Sequence, residues 1–506
     1  MRSESPATAL RFHEGTNYPG GEFLGEWPML DPTTRPSPYK IYTSLDSITL
    51  PSSFPASASP VFDAIGGMAP QGERAVPDLD ALARVLFFSN GVTKHIHRGG
   101  RDWPFRAAPC TGALYHVELY VVCGDLPGLA AGVYHYGAHD NGLRQLRSGD
   151  FRGVLIDATV NEPAVAQAPA ILLATSTFWR NSWKYGARAY RHTFWDTGTM
   201  LPNTLATATS VRLPASVVVG FVDDAVNRLL DVDGEQEFAV ALVPVGHDSG
   251  AVPAAPAFEP LDLPFDEAPR PELDEPAIRA VQAASTLATM DDVTGWRGEA
   301  LPDRSTPLEP ALLPLQPFDG AERPADPVET VIRRRGSTRR FTREAISFPQ
   351  LSTMLRAATT DIATDLGQAN VDRLGDVYLI VNAVDGLEPG SYAFHPGRNG
   401  LEQLAPGDHR AAANHLALDQ DLGGDAAVNI YVMADVPSVL ATFGDRGYRA
   451  AQLMAAMAAG KVYLAAYALG LGATGLTFWD HDVTDFFSPH AAGRSPMFLV
   501  AVGHKA

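Results

Sequence analysis

The sequence is poor in cysteine, in positive charge and in long apolar segments. Its 506 residues include only Cys110 and Cys123, too few for a disulfide framework or a four-cysteine metal site. Lys and Arg total 39 against 58 Asp and Glu, and the resulting net charge of −19 argues against binding to nucleic acid or an anionic membrane. The best candidate for a membrane span, residues 450–478, contains Gln452 and Lys461, so it predicts a buried helix that runs into a strand.

Signals for export and for metal binding are also weak. The N-terminal segment MRSESPATALRFHEG has no apolar run of the kind found in signal peptides, so we expect a cytoplasmic protein. KHIH at 94–97 and WDHD at 479–482 are candidate metal pairs, but neither has a third ligand at a suitable spacing. No metal site is therefore predicted.

The chain does contain an internal repeat. Residues 117–137 resemble 376–397, and residues 182–192 resemble 441–451, and the identical residues within both segments lie 258 positions apart. The identical pairs are Tyr120 and Tyr378, Gly132 and Gly390, Tyr134 and Tyr392, Arg188 and Arg446, Tyr190 and Tyr448, and Arg191 and Arg449. A constant offset over more than one segment predicts two homologous domains, which we place at residues 1–250 and 326–506.

Residues 251–325, between the two repeats, are rich in Pro, Ala, Asp and Glu, which favours an extended linker. One helical patch, 275–290, is expected to dock on a domain surface. Each repeat is predicted to run helix, helix, strand, turn, strand, long helix, strand, which is an α+β fold. The long Ala-rich helices suit close packing between the two halves.

The first candidate site motif is RRRGSTRRF at 333–341. Arg335, Ser337 and Arg339 offer two guanidiniums and a hydroxyl to one anion, and we place them at a helix N-terminal region, where amides add donors. The alternative is a solvated basic run at the entry to a domain. The corresponding stretch of the first repeat, FDAIGGMAPQ at 62–71, has no arginine.

The second candidate motif is RAAPCTGALYHVELY at 106–120. A proline followed by small residues lets backbone amides approach a flat ligand closely, and the residues in question are Pro109, Cys110, Thr111 and Gly112. A generic loop leading into a strand is the alternative. The second repeat has LGQANVDRLGDVY at 366–378 instead, so this motif occurs once.

The third candidate motif is the pair Lys184 and Tyr185 in SWKYGARAYRH at 182–192. A lysine beside a tyrosine can act as a general base if its pKa is lowered, and the alternative is a surface pair at a helix start. The second repeat has Thr442 and Phe443 at these positions but keeps the arginines, which indicates that the arginines are scaffold. GLGATG at 470–475 fits a dinucleotide fingerprint, but a helix precedes it and a strand follows, which favours a helix C-cap turn.

Together these segments resemble the nitroreductase-like flavoproteins, and within them the SagB-type azoline dehydrogenases of thiazole/oxazole-modified peptide pathways. RAAPCTGALYHVELY and WKYGARAYRH match two segments of that family, and SPYKIYTSLDSITLP at 37–51 resembles its lead-in before the first helix. Arg335, Ser337 and Arg339 match the R-x-S-x-R that holds the flavin phosphate. Two departures are Cys110, where the family usually has Ser, and Gly336, where Arg is common.

The resemblance implies a nitroreductase-like fold in which two tandem copies form an intramolecular pseudo-dimer with one FMN between them. The residues implied to bind FMN are Arg335, Ser337 and Arg339, Pro109, Cys110, Thr111 and Gly112, and Gly475, Leu476 and Thr477 of the second repeat. Lys184 with Tyr185 would remove a ring proton while a hydride passes to the flavin, which dioxygen reoxidises.

The implied reaction is the oxidation of peptide thiazolines or oxazolines to thiazoles or oxazoles in the biosynthesis of ribosomal peptide natural products such as thiopeptides. The implied partners are an azoline-containing precursor peptide and the cyclodehydratases of the pathway. Two alternatives stay open: an NAD(P)H-dependent nitro or quinone reductase of the same fold, and a non-catalytic flavin-binding scaffold subunit.

Overall fold

The computed structural model describes residues 7–18, 30–66, 73–266, 275–302 and 310–506. The end of the stretch 62–71 and parts of the linker at 251–325 lie outside these ranges. The helices of the first half are α1 (Thr8–Gly15), α2 (Val61–Gly66), α3 (Leu79–Asn90), α4 (Arg152–Ala158), α5 (Pro163–Ala166), α6 (Trp179–Tyr185), α7 (Ala189–Ser210) and α8 (Asp223–Leu230). Its strands are β1 (Ile41–Tyr42), β2 (Ser47–Thr49), β3 (Val92–Arg98), β4 (Arg101–Arg106), β5 (Val117–Cys123), β6 (Gly132–Gly137), β7 (Gly142–Ser148), β8 (Ala170–Ser176), β9 (Phe238–Val245) and β10 (Phe265–Asp266).

A connecting segment with two helices and a short strand leads to the second half: α9 (Pro276–Ala284), α10 (Met290–Arg297) and β11 (Leu313–Pro314). The later helices are α11 (Val328–Arg334), α12 (Phe348–Ala358), α13 (Gln368–Leu374), α14 (Arg410–Leu416), α15 (Asp421–Asp425), α16 (Val436–Ala468) and α17 (Asp480–Phe487). The later strands are β12 (Ile346–Ser347), β13 (Asp376–Val381), β14 (Val384–Asp385), β15 (Gly390–His395), β16 (Gly400–Pro406), β17 (Val428–Ala434), β18 (Gly472–Leu476) and β19 (Ser495–Gly503).

Each half is built on one antiparallel sheet. The first has the order β2-β7-β6-β5-β8-β9, and the second has β11-β16-β15-β13-β17-β19-β18. The prediction of three strands per repeat is wrong, because β7 and β8 and their counterparts β16 and β17 were not foreseen. β7 carries Arg144 and Arg147, which hide the strand pattern, and a short apolar run such as β8 (AILLATS) cannot be told from a helix segment by periodicity.

The long helices α7 and α16 pack against each other and join the two halves. A Cβ at Gly198 would lie 2.5 Å from the Cβ of Ala456, and one at Gly460 would lie 2.9 Å from Pro202. Small residues at the contact therefore let the two backbones approach closely, as the Ala-rich composition predicted. Trp195 Nε1–H donates to the side-chain oxygen of Gln452 at 2.6 Å and fixes the register across this contact.

The helix α16 contains the counterparts of both α6 and α7. Its backbone breaks at Gly444 with φ 61°, and Gly186, which separates α6 from α7, has φ 53° and lies 258 residues earlier. α16 then ends in Leu469 and Gly470 before β18, as expected for a C-cap turn at GLGATG. Among the described residues, no helix is long and apolar enough to cross a membrane.

The repeated arginines form two matching buried ion clusters. Arg188 and Arg191 contact Asp480 at 2.9 and 2.7 Å. Arg446 and Arg449 contact Asp223 at 2.8 Å each, and Asp223 lies 257 residues before Asp480. Each cluster therefore joins the long helix of one half to a short helix of the other, which confirms the arginines as scaffold.

The connecting helix α9 makes the same contacts as the N-terminal helix α1. Arg191 donates to the backbone oxygen of His13 and the hydroxyl of Thr16, and Arg449 donates to the backbone oxygen of Gln282 and the hydroxyl of Ser285. The predicted helical patch in the linker is thus packed on the core, with Ile278 and Val281 fully buried.

Candidate active site

The loop Pro109–Gly112 is held by hydrogen bonds to a carboxylate on α7. Asp196 accepts hydrogen bonds from the backbone N–H of Thr111 at 2.9 Å, the hydroxyl of Thr111 at 2.8 Å and the thiol of Cys110 at 3.0 Å. His116 Nε2 lies 2.7 Å from the same carboxylate. The pKa of Asp196 lies below its ordinary value because these hydrogen bonds and the nearby imidazole outweigh the effect of burial.

Cys110 is a hydrogen-bond donor in this arrangement. Burial, followed by the adjacent Asp196 carboxylate, raises the pKa of the Cys110 thiol well above its ordinary value. The thiol form therefore predominates, and it donates to Asp196. Cys110 thus packs in the loop as a neutral thiol bonded to Asp196.

Lys184 and Tyr185 lie at the C-terminal end of α6, not at a helix start. The Tyr185 ring packs on the loop so closely that a Cβ at Gly112 would lie 2.9 Å from the Tyr185 hydroxyl, and Gly112 also has φ 66°. The other face of Tyr185 meets the ring of His192 at 4.7 Å between centroids. Gly112 is therefore required both by its backbone conformation and by its neighbour.

The Lys184 ammonium lies 5.1 Å from the centre of the Tyr185 ring, and its side chain is exposed. Partial burial and then the positive charge of Arg35 lower the pKa of Lys184 below its ordinary value. Arg35 itself donates to the backbone oxygen of Ala113 at 3.3 Å, beside the loop. A lysine next to another cation, with a lowered pKa, is suited to accept a proton.

Arg335, Ser337 and Arg339 do not start a helix. Arg335 is the C-cap of α11, and residues 336–340 have no regular secondary structure, so the expectation of amide donors from a helix N-terminus is wrong. Pro327 stands directly before α11, and the basic run stands at the other end, where the helix stops.

The two groups of predicted residues meet across the halves. Arg335 donates to the backbone oxygens of Arg106 and Ala107 at 3.0 and 2.9 Å, directly before the Pro109–Gly112 loop. Arg339 lies near enough to Tyr185 to act on its pKa, which burial followed by Asp196 raises above its ordinary value. Residues from both repeats therefore line one region, which we call the composite site.

Tyr463 joins the parts contributed by the second half. Its hydroxyl accepts a hydrogen bond from the backbone N–H of Gly475 and interacts with the side chain of Ser337. Tyr463 was not predicted, because a tyrosine inside the apolar helix α16 gives no sequence signal. Two residues beyond Gly475, the hydroxyl oxygen of Thr477 is buried and finds no partner among the described residues.

An aromatic row completes the link between Tyr185 and β18. The ring of His192 packs against that of Tyr185. The ring centroid of Trp195 lies 4.9 Å from that of His192, and the ring centroid of Phe478 lies 5.8 Å from that of Trp195. Phe478 directly follows Thr477 in the chain. This row of rings therefore connects Tyr185 to the residue that follows Gly475, Leu476 and Thr477.

Comparison with known proteins agrees with this architecture. The nitroreductase family matches residues 78–247 and again residues 332–504, which together make up more than half of the chain. The chain belongs to the nitroreductase family. Family members are FMN-dependent oxidoreductases.

A solved nitroreductase-family structure from Anabaena variabilis covers 99% of this chain and 100% of its own at 25% identity, with a TM-score of 0.79. A Methanocaldococcus jannaschii protein named as a nitroreductase is 29% identical over 168 residues, which is 33% of this chain and 80% of that protein. The Escherichia coli microcin synthetase complex with a truncated pro-microcin aligns at 16% identity over 49% of this chain and 85% of its own, but its TM-score of 0.31 is too low to support an argument.

The second site that two nitroreductase-family domains could form is filled by protein. At the equivalents of Leu476 and Thr477, the backbone N–H groups of Val219 and Gly220 donate to the Asp365 carboxylate at 3.0 and 2.8 Å. Arg297 of α10 donates to the same carboxylate at 3.3 Å. We call this region, around Val219 and Gly220, the reciprocal site.

The tyrosine position of the reciprocal site is filled as well. Trp296 of α10 packs 5.6 Å from the ring of Phe443, which stands where the composite site has Tyr185. A Cβ at Gly220 would lie 2.8 Å from Asp365 and 3.1 Å from Trp296, so no space remains for a ligand beside that residue. Among the described residues, the reciprocal site is therefore occupied by side chains of the protein itself.

Asp196 gives a prediction for the composite site. Asp196→Asn replaces one acceptor oxygen by an amide that faces the Thr111 and Cys110 donors, and we expect the free energy of unfolding to fall by about 1–3 kcal/mol. Urea unfolding measures this loss. Cys110→Ser keeps a donor toward Asp196 and is the matched control, expected to stay near the parent stability; equal stability of Asp196→Asn and the parent would contradict this account of the loop.

Proposed function

We propose that this protein binds one FMN per chain and oxidises peptide thiazolines or oxazolines to thiazoles or oxazoles. The observation that carries the proposal is Lys184, a solvent-accessible lysine with a lowered pKa beside the loop of the composite site. Reduction of a nitro group or quinone needs no base that abstracts a substrate proton. Azoline oxidation does, because the ring must lose a proton as well as a hydride.

The residues of the composite site fit FMN. Arg335, Ser337 and Arg339 would hold the phosphate, while Pro109, Cys110, Thr111 and Gly112 would lie along the ring from the other half. Gly475, Leu476 and Thr477 would contact the ring through their backbone. Two observations support the fit: the buried hydroxyl of Thr477 has no partner among the described residues, and the matching amides of the reciprocal site hold a carboxylate.

In the proposed reaction Lys184 accepts the proton from the ring carbon next to the carbonyl. Tyr185, fixed between Gly112 and His192, holds the substrate ring beside that lysine. Arg35 keeps Lys184 in its neutral form over more of the pH range by repelling the ammonium. Bound FMN would supply the hydride acceptor, and general-base assistance is worth about 10²–10⁴-fold in rate.

The proposed partner is an azoline-containing precursor peptide, with the cyclodehydratases of its pathway as further candidates. An NAD(P)H-dependent reductase and a non-catalytic flavin scaffold are the competing functions. Both keep the flavin, so flavin binding alone cannot distinguish them from the proposed oxidation.

The deciding experiment incubates the flavin-loaded chain with a synthetic thiazoline peptide in air and follows the peptide mass. We expect the loss of two hydrogens without added NAD(P)H. Steady NAD(P)H consumption with a nitroaromatic and an unchanged peptide mass would favour the reductase. No turnover in either assay would favour the scaffold.

A further inference from the structure

A second cluster of chemically active side chains lies on the sheet of the second half, away from the composite site. His395 Nε2 is 2.8 Å from the Glu402 carboxylate, and His490 Nε2 is 3.5 Å from the same oxygen. The three ligand atoms all lie within 4.8 Å of one another. We call this set the His395–Glu402–His490 cluster.

Sheet register places these residues together. In the antiparallel pair β15–β16, His395 lies opposite Gly400 and Ala393 lies opposite Glu402, so His395 and Glu402 are diagonal neighbours on one face. His490 arrives from the connection between α17 and β19. The cluster therefore joins three separate segments of the second half.

His490 presents its Nε2 atom to the cluster because its other nitrogen is engaged. Nδ1 lies 3.0 Å from the hydroxyl of Tyr378, whose ring packs edge-on against the imidazole. Nε2 lies 3.5 Å from the Glu402 oxygen. An outer partner that fixes the ring and leaves the second nitrogen facing a carboxylate is typical of metal-ligating histidines.

We propose that His395, Glu402 and His490 bind one divalent transition-metal ion of the zinc class. Two imidazoles and one carboxylate, with water in the fourth position, are a common zinc ligand set. Tetrahedral bonds of about 2.0–2.2 Å would place the ligand atoms roughly 3.3–3.5 Å apart, so the present contacts need only small side-chain shifts. The ion would tie the α17–β19 connection to the edge of the sheet.

The first half of the chain has no equivalent of this cluster, so the shared fold alone does not account for it. The equivalent positions of the first half are Gly137, Arg144 and Asp233, which provide no imidazole. Two other histidine groups differ from it: His415 alone bridges Asp419 and Asp482, and His116 has both ring nitrogens in hydrogen bonds within the composite site. The metal proposal is independent of the proposed function.

The test is calorimetric titration of chelator-treated full-length protein with Zn²⁺ alone. We expect one tight site, no comparable binding of Mg²⁺, and a Co²⁺ spectrum without the charge-transfer bands that a cysteine ligand would give. His490→Ala and Glu402→Gln should each abolish the tight site, and Tyr378→Phe should weaken it by about 10–100-fold.

His415→Ala is the matched control and should bind Zn²⁺ like the parent. Glu402→Gln preserves side-chain shape, so its loss of binding with an unchanged thermal midpoint in chelator separates ligand loss from misfolding. Equal Zn²⁺ affinity of the parent and both ligand variants would overturn the proposal, as would a parent protein that binds no Zn²⁺.

Discussion

Lys184→Met is expected to lower the rate of azoline oxidation by about 10²–10⁴-fold while the protein keeps its bound flavin and its yellow colour. Methionine fills a similar volume but cannot accept a proton, and Lys184 is not among the residues proposed to hold FMN. The assay is single-turnover oxidation of a thiazoline peptide, normalised to the flavin content measured by absorbance. Loss of turnover with retention of the flavin is the result expected when a base is removed.

The pH dependence of the oxidation rate tests the role of Lys184 as a base independently. A base acts in its neutral form, so the rate should rise with pH through the pKa of Lys184. Because burial and Arg35 lower that pKa, the rise should occur at lower pH than for an ordinary lysine, whose pKa is about 10.4. Thr442→Ala, at the equivalent position of the reciprocal site, should leave the rate unchanged; an unchanged rate in Lys184→Met would instead remove the base from the mechanism.

The second large effect is on stability. Asp480→Ala should lower the free energy of unfolding by about 3–5 kcal/mol, because it leaves the buried guanidiniums of Arg188 and Arg191 without their carboxylate. Asp480 is 1% exposed, so water cannot replace the lost partner. Urea unfolding, monitored by tryptophan fluorescence, measures the loss.

Pseudo-symmetry supplies the comparison for this variant. Asp223→Ala removes the carboxylate of the matching cluster at Arg446 and Arg449 and should cost a similar amount. Asp224→Ala is the control, because Asp224 is exposed and its Arg228 contact is long, so its change should stay within about 0.5 kcal/mol. A loss below about 1 kcal/mol in Asp480→Ala would show that the clusters do not hold the halves together.

The tandem fold could be predicted because residues that the fold requires recur in both halves at a constant spacing. Arg188 and Arg446 recur since each completes a buried ion cluster, and Gly186 and Gly444 recur since each breaks a helix at positive φ. Strands β7 and β8 escaped prediction because neither shows a clear alternation of apolar and polar residues.

The sequence singled out the motif residues that the structure brings together at the composite site, but not the residues that contact and support them. Asp196 and Tyr463 lie inside long helices, where a polar residue gives no sign of what it contacts. Arg335 was placed at the wrong end of a helix, because a basic run can stand at either end and the sequence does not fix the direction.

The filling of the reciprocal site was the least predictable feature. The sequence showed only that the second repeat lacks the Pro109–Gly112 motif and the Lys-Tyr pair. Asp365 and Trp296 fill the reciprocal site through contacts between segments that are far apart in the chain. Such long-range contacts have no local sequence pattern.

We propose that the two nitroreductase-family domains of this chain make one flavin site. To test this, the flavin is released from protein purified after saturation with FMN, and its amount, measured by absorbance, is divided by the amount of chain. We expect one FMN per chain, because Asp365 and Trp296 fill the reciprocal site. Two FMN per chain, or none, would contradict it.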